Sequence, residues 1–421
     1  MKDKTIAVHG GLEADKQNRV NTLPIFQTTA YTFDDTKYAA ELFTLEREGY
    51  IYTRLNNPTN NVLEQRMAML DGGIGALATA SGMAATTYAI LNIASQGDEI
   101  VSASTIYGGT HTLLNNTLPK LGIKTTFVEP DDFDAFEKAI TPKTKLIFAE
   151  SVANPKINVF DIEKAAEIAH KHGIPLIIDN TVPTPALLKP IEFGADIVVY
   201  SATKYLGGHG NSMGGIIVDS GKFNWANGKF PELTEPDDSY HGIKYVETFG
   251  NAAFIVKARV GIMRDMGASI SPFNSFLIAQ GIETLHLRMR EHSENAIKVA
   301  KFLESHEKVS NVIYPGLENH PDYALGQKYM PKGLSSMLGF QIKGGKEAGI
   351  KFIENLKMFS HVTNIGDTKS IVTHPASTTH QQLSDEALFA AGISPDYLRL
   401  SIGLEDIDDI IEDLSQALEK C

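Results

Sequence analysis

Seven short apolar runs punctuate the chain: Gly75–Ala78, Glu99–Ser102, Thr125–Val128, Leu146–Ala149, Leu176–Asp179, Ile197–Tyr200 and Gly215–Val218. They lack the polar alternation of a half-buried strand. Such runs fit strands covered on both faces, and the stretches between them carry helical patterns. The pattern therefore predicts an α/β fold on a mostly parallel, seven-stranded sheet flanked by helices. Ahead of the first run, Asn61–Leu70 places Val62, Leu63, Arg66 and Leu70 at helical spacing and reads as an amphipathic helix. Ligands of such sheets bind beyond the carboxyl ends of the strands. Asp179 and Lys204 sit at or just past two of those ends.

The flanking regions read differently. Residues 1–60 have no clean periodicity and are expected to form an extended arm that contacts a neighbouring subunit. Residues 61–265 form the large α/β domain. Within it, 219–249 is polar, with Pro231, Pro236 and the acidic pair Asp237 and Asp238, and reads as a long loop or small insertion over the sheet edge. Helical stretches follow over 252–266 and from Pro272 to about Leu303. Gly339–Ile342 and Tyr397–Ile402 read as strands, and Glu405–Leu418 as a closing helix with Ile407, Ile410, Ile411, Leu414 and Leu418 on one face. Residues 266–421 thus read as a smaller α+β domain, with no internal repeat.

Composition narrows the classes of function. A length of 421 residues allows two or three ordinary domains. No apolar run approaches the roughly 20 residues needed to span a bilayer, and Met1–Thr5 has no apolar core of a signal peptide. The single cysteine, Cys421, excludes an intrachain disulfide framework and a thiolate metal site. These features suit a cytoplasmic protein. A net charge of -13 opposes binding to nucleic acid or anionic membrane, so an anionic ligand needs a local positive pocket.

The stretch Asp196–Gly210 carries the most chemistry. It sets Lys204 behind Ser201 and Thr203 and ahead of a glycine run. A lysine whose charge is tuned down by burial suits a Schiff base with a carbonyl cofactor, and the two hydroxyls suit a phosphate. The plain alternative is an exposed loop lysine. Thr79–Thr86 places Ser81, Gly82 and Met83 where a strand gives way to a helix, and free amides at a helix N-terminus bind phosphate; alternatively Ser81 is only a cap. Asp179 ends an apolar run, where a carboxylate is costly without a cationic partner such as a pyridinium nitrogen; the alternative is a turn cap with Asn180 and Thr181. Arg399 lies inside an apolar strand, where its fork fits a carboxylate or a structural ion pair. Tyr52 and Arg54 are candidate phosphate contacts from the arm. Gly73–Ala78 and Gly208–Gly210 imitate dinucleotide loops but do not run from strand to helix. His374 and His380 lack the spacing of a helical zinc pair, and His209 fits loop packing better than catalysis.

Together these residues resemble the trans-sulfuration group of pyridoxal-phosphate enzymes, of the aspartate-aminotransferase fold (fold type I). The resemblance runs from Tyr50–Arg54 to Leu398–Ser401, with Ser201–His209 its most specific segment. It implies that Lys204 holds pyridoxal 5'-phosphate and that Asp179 pairs with the ring nitrogen. It gives the phosphate to Ser81, Gly82, Met83, Ser201 and Thr203, with Tyr52 and Arg54 of a neighbouring subunit. Tyr107 stacks on the ring and assists as an acid or base, Asn154 reaches the phenolic oxygen and the substrate, and Arg399, helped by Ser336, takes the substrate carboxylate. A homotetramer, a dimer of dimers with shared active sites, is implied as well.

Within the group the chain is most similar to the O-acetylhomoserine sulfhydrylases. Its length, the 219–249 insertion, and the stretches Asn364–Ser370 and His374–His380 support this, as does Gly109 where methionine γ-lyases carry cysteine. The implied reaction is γ-replacement. Lys204 removes the Cα proton, acetate leaves Cγ, and sulfide or methanethiol adds there to give homocysteine or methionine. A methionine γ-lyase or cystathionine γ-synthase activity is the alternative on the same scaffold; a nicotinamide dehydrogenase and a non-catalytic binding protein are the readings from other classes.

Overall fold

The computed structural model describes residues 1–13, 19–375 and 394–421. All seven apolar runs are strands of one sheet: β1 (Gly75–Thr79), β2 (Glu99–Ala103), β3 (Lys124–Val128), β4 (Thr144–Glu150), β5 (Leu176–Asp179), β6 (Ile197–Ser201) and β7 (Gly215–Asp219). Their spatial order is β1-β7-β6-β5-β4-β2-β3, and only β7 runs antiparallel to its neighbours. The central strands are continuous core: Leu146–Ala149, Leu176–Ile178 and Ile197–Tyr200 are fully buried. β3, at the edge, keeps Lys124 and Thr126 exposed.

Helices cover the sheet because their ends are chemically specified. The predicted helix over 61–70 is α3 (Pro58–Asp71), one turn longer than expected. Asn57 caps it by accepting the Thr59 N–H at 2.9 Å, Pro58 pre-sets its first turn, and Gly72 closes it in the left-handed region at φ 75°. Arg66 belongs to its buried face, where the guanidinium donates to the carbonyls of Gly10 and Ala279 at 3.1 Å each.

Three regions depart from expectation. The first 60 residues are not uniformly extended. α1 (Asp3–His9) buries Ile6 and Ala7 against α3, and α2 (Thr36–Phe43) starts at Asp35, whose side chain accepts the Tyr38 N–H. Insertion 219–249 is not open loop. It contains short helices at Pro231–Thr234 and Tyr245–Phe249, and its polar composition hides a cluster of Phe223, Trp225 and Phe230, with Trp225 stacked on Phe254 at 5.1 Å. The helical stretch from Pro272 is two helices, Pro272–Glu283 and Leu285–Ser305, broken at Thr284.

The C-terminal region adds a second sheet. β8 (Val309–Ile313), β9 (Met337–Ile342), β10 (Ser360–His361), β11 (Ile371–Thr373) and β12 (Tyr397–Ser401) lie in the order β10-β11-β12-β9-β8. The closing helix, Ile407–Leu418, is capped by Asp406 and buries Ile410, Leu414 and Leu418. No helix among the described residues is long and apolar enough to cross a membrane.

Candidate active site

The carboxyl ends of β4, β5 and β6 deliver Glu150, Asp179 and Ser201 to one edge of the large sheet. β1 ends at the same edge and feeds α4 (Gly82–Leu91), whose first turn is capped by the Ser81 hydroxyl accepting the Ala84 N–H at 3.2 Å. Between these ends and β12 lies a cavity of about 400 Å³. It is lined by Ser81, Gly82, Met83, Tyr107, Asn154, Asp179, Ser201, Thr203, Lys204 and Arg399, so ten of the sequence candidates converge on it.

Lys204 sits in the turn after β6, its carbonyl bound by the Gly208 N–H at 2.8 Å. Its ammonium donates to Asn364 Oδ1 at 2.5 Å. Burial lowers its affinity for a proton, and the positive charge of Arg399 lowers it further. The loop is braced from the second sheet's side by Arg288, buried on the helix Leu285–Ser305, which donates to the carbonyls of Tyr205 (2.8 Å), Leu206 (3.2 Å) and Gly281 (2.7 Å). Gly208 is required there: its φ is +72° and a Cβ would sit 2.2 Å from the guanidinium.

Asp179 accepts the Thr181 N–H at 2.9 Å. Burial still raises its carboxyl, and among the described residues no cation acts on it to offset this. A protonated ring nitrogen would supply that cation. Arg399 has the converse need. Its terminal nitrogens donate to neutral oxygens of Asn154 (2.8 Å), Asn364 (3.0 Å) and Thr373 (3.2 Å), and its buried Nε has no hydrogen-bond partner among the described residues. A carboxylate would complete it. At the phosphate end, a Cβ on Gly82 would lie 2.6 Å from Ser201 Cβ, so only glycine lets the start of α4 close on Ser201. The residues present therefore fit pyridoxal phosphate at three points: ring cation, phosphate and lysine.

Other candidates lie elsewhere. Ser336 is buried outside the cavity lining, its hydroxyl 2.7 Å from that of Tyr205. Tyr52 and Arg54 do not line the cavity; they sit together on the exposed arm, guanidinium over ring at 5.1 Å. Tyr107, by contrast, lines the cavity from its mouth, half exposed, and a Cβ on Gly109 would lie 2.5 Å from its ring. His209 bonds the Gly207 carbonyl at 2.7 Å, and His374 the Pro395 carbonyl at 2.8 Å. His380, with most of the 374–380 stretch, lies outside the described residues, among which no three or more His, Cys, Asp or Glu side chains gather as a metal site would need. Gly73–Ala78 enters β1 rather than a helix.

Two lining residues were not singled out from sequence. Glu150 ends β4 as Asp179 ends β5, so the same signal, a carboxylate closing an apolar run, could have found it. Asn364 lies within a stretch that drew attention, but nothing in the sequence marks it as the partner of Lys204.

A weakly basic lysine, a buried aspartate without a cation and a helix N-terminus, set at one sheet edge of this architecture, define a pyridoxal-phosphate-dependent enzyme of fold type I. A family model described as Cys/Met metabolism PLP-dependent enzyme matches residues 4–419, and the chain belongs to that family. It is 54% identical to an O-acetyl-L-homoserine sulfhydrylase of Leptospira meyeri, over 99% of this chain and 97% of that protein. It is 47% identical to a homocysteine synthase of Schizosaccharomyces pombe, over 99% and 98%. A crystal structure from Campylobacter jejuni, assigned as an O-acetylhomoserine (thiol)-lyase and holding N'-pyridoxyl-lysine-5'-monophosphate, superimposes with a TM-score of 0.96 at 43% identity, covering 100% of both chains.

Proposed function

We propose that the protein catalyses γ-replacement, converting O-acetyl-L-homoserine and sulfide to L-homocysteine and acetate. The full-length relatives that bear sulfhydrylase and homocysteine synthase names support this reading over the lyase and cystathionine-forming alternatives. The observation that carries it at the site is the link between the lysine and the carboxylate-binding arginine inside one cavity with Asp179: Lys204 donates to the Asn364 side chain, and the Asn364 backbone carbonyl accepts from Arg399.

Pyridoxal phosphate, when bound, supplies an electron sink for a carbanion at Cα. The chain's residues do the rest. Arg399, flanked by Asn154 and Asn364, receives the amino-acid carboxylate through its free Nε edge. Asp179 keeps a proton on the ring nitrogen. Lys204, its basicity lowered by burial, takes the Cα proton and carries the later transfers, with Tyr107 as a second acid or base. The Ser81–Met83 turn, Ser201 and Thr203 hold the phosphate. Tyr52 and Arg54 complete that end from a neighbouring subunit of a homotetramer, which accounts for their distance from the cavity of their own chain. Ser336 acts through Tyr205. Methanethiol, giving methionine, is a second acceptor, and the enzyme works in the cytoplasm.

A substrate panel tests this. Acetate release from O-acetylhomoserine should depend on sulfide or methanethiol. Ammonia and 2-oxobutanoate formed from methionine alone at a comparable rate would instead establish a lyase.

A further inference from the structure

The cavity holds a second carboxylate that the proposed reaction does not use. β4 and β5 are parallel neighbours in a register that pairs Glu150 with Asp179, and both residues line the cavity. Glu150 is 6% exposed, and burial, with the like charge of Asp179 beside it, raises its carboxyl well above the ordinary range. An acid buried in this way is costly unless its oxygens are satisfied. Both are. One oxygen accepts the N–H of Tyr107 at 2.6 Å, where α5 (Gly108–Thr112) begins, and the other accepts the N–H of Asn154 at 3.1 Å. Asn154 passes the link on, since its Oδ1 accepts from Arg399 at 2.8 Å. One side chain thus ties the backbone of Tyr107 and of Asn154, and through the Asn154 side chain the buried arginine, to the strand edge that carries Asp179.

We propose that Glu150 is a positioning residue of this site, its two oxygens setting Tyr107 and Asn154 in place and, through Asn154, Arg399. The inference rests on the reading of the cavity as a cofactor and amino-acid site. Glutamine at this position keeps the volume but offers one oxygen and one NH2. It can accept from Tyr107 or from Asn154, not from both, and its NH2 then faces an N–H donor. The other titratable groups facing the cavity are Asp179 from β5, Lys204 from the turn after β6, Arg399 from β12 and Tyr107, and all remain in the variant.

The test compares Glu150→Gln with wild type, both loaded with pyridoxal phosphate. Visible-region circular dichroism, per bound cofactor, reports how firmly the ring is held. The KM for O-acetylhomoserine reports the placement of Arg399. The expected result is a circular dichroism signal cut by half or more at equal occupancy, and a KM raised roughly ten-fold with a smaller change in kcat. Glu150→Asp, which keeps both carboxyl oxygens but shortens the reach, should show the same pattern more weakly. It carries the test alone if Glu150→Gln does not fold. Dichroism and KM both within a factor of two of wild type overturn the proposal. Failure of the wild type to take up cofactor would instead overturn the site reading beneath it.

Discussion

Arg288→Ala should loosen the lysine-bearing loop from outside the cavity. Arg288 is buried and donates to three carbonyls, Tyr205 and Leu206 of the loop and Gly281 of the helix Pro272–Glu283, with Thr284 Oγ1 a weaker fourth partner at 3.3 Å. Each charge-assisted bond contributes about 1.5–3 kcal/mol, so the gross loss over the three carbonyls is about 4.5–9 kcal/mol. Two effects reduce it. Burial already disfavours the guanidinium, lowering it to about 10, and water entering the vacated space rebinds some of the carbonyls. The net loss should be about 3 kcal/mol, which is large for one substitution. Urea unfolding at fixed protein concentration measures it. Apo and cofactor-loaded protein should be compared, because bound cofactor adds stability by mass action. The loaded form should lose more, since the loop carries Lys204. Arg288→Lys should fall between, because one ammonium cannot span three carbonyls. A loss below about 1 kcal/mol in both forms would refute the argument that this arginine holds the loop.

Other expectations follow from the same contacts. Gly82→Ala drives a Cβ to within 2.6 Å of Ser201 Cβ. It should cost about 1–3 kcal/mol and weaken cofactor uptake, measured by equilibrium dialysis; unchanged affinity would show that α4 need not close on Ser201. Asn364→Ala removes the partner of Lys204 and should lower kcat/KM about ten-fold or more in steady-state assays, whereas wild-type values would deny the contact a role. Asp71 is buried on α3, accepts the Tyr200 hydroxyl at 2.7 Å, and has its carboxyl raised by burial from 3.8 to about 7. A raised carboxyl stabilises the fold below its ordinary value and loses that contribution as pH rises through the folded value. Asp71→Asn should therefore flatten the fall in melting temperature between about pH 4 and 7, and parallel profiles would contradict this.

The large sheet was legible because its central strands are buried on both faces, leaving no charged or alternating polar residue within the runs from Leu146 to Ala149 or Ile197 to Tyr200. Asp179 and Lys204 stood out because each puts a charge where those runs end. Elements set by longer-range packing were harder to read. Nothing periodic marks α1, whose seven residues bury only Ile6 and Ala7, and the helix Pro231–Thr234 buries only Leu233, just after Phe230, whose packing on Trp225 polar neighbours conceal. Ser336, which only the resemblance pointed to, lies outside the cavity lining with its hydroxyl turned to Tyr205. Asn364 fills the place beside Arg399 from a loop whose path sequence does not encode. Glu150 was overlooked although it repeats the signal of Asp179 one strand away.

The most direct test measures homocysteine and acetate together, from O-acetyl-L-homoserine and sulfide, with wild type and Lys204→Ala. The account predicts one homocysteine for each acetate in the wild type, no product without sulfide, and loss of both products in the variant. Acetate released without sulfide at the same rate, or turnover preserved in Lys204→Ala, would contradict it.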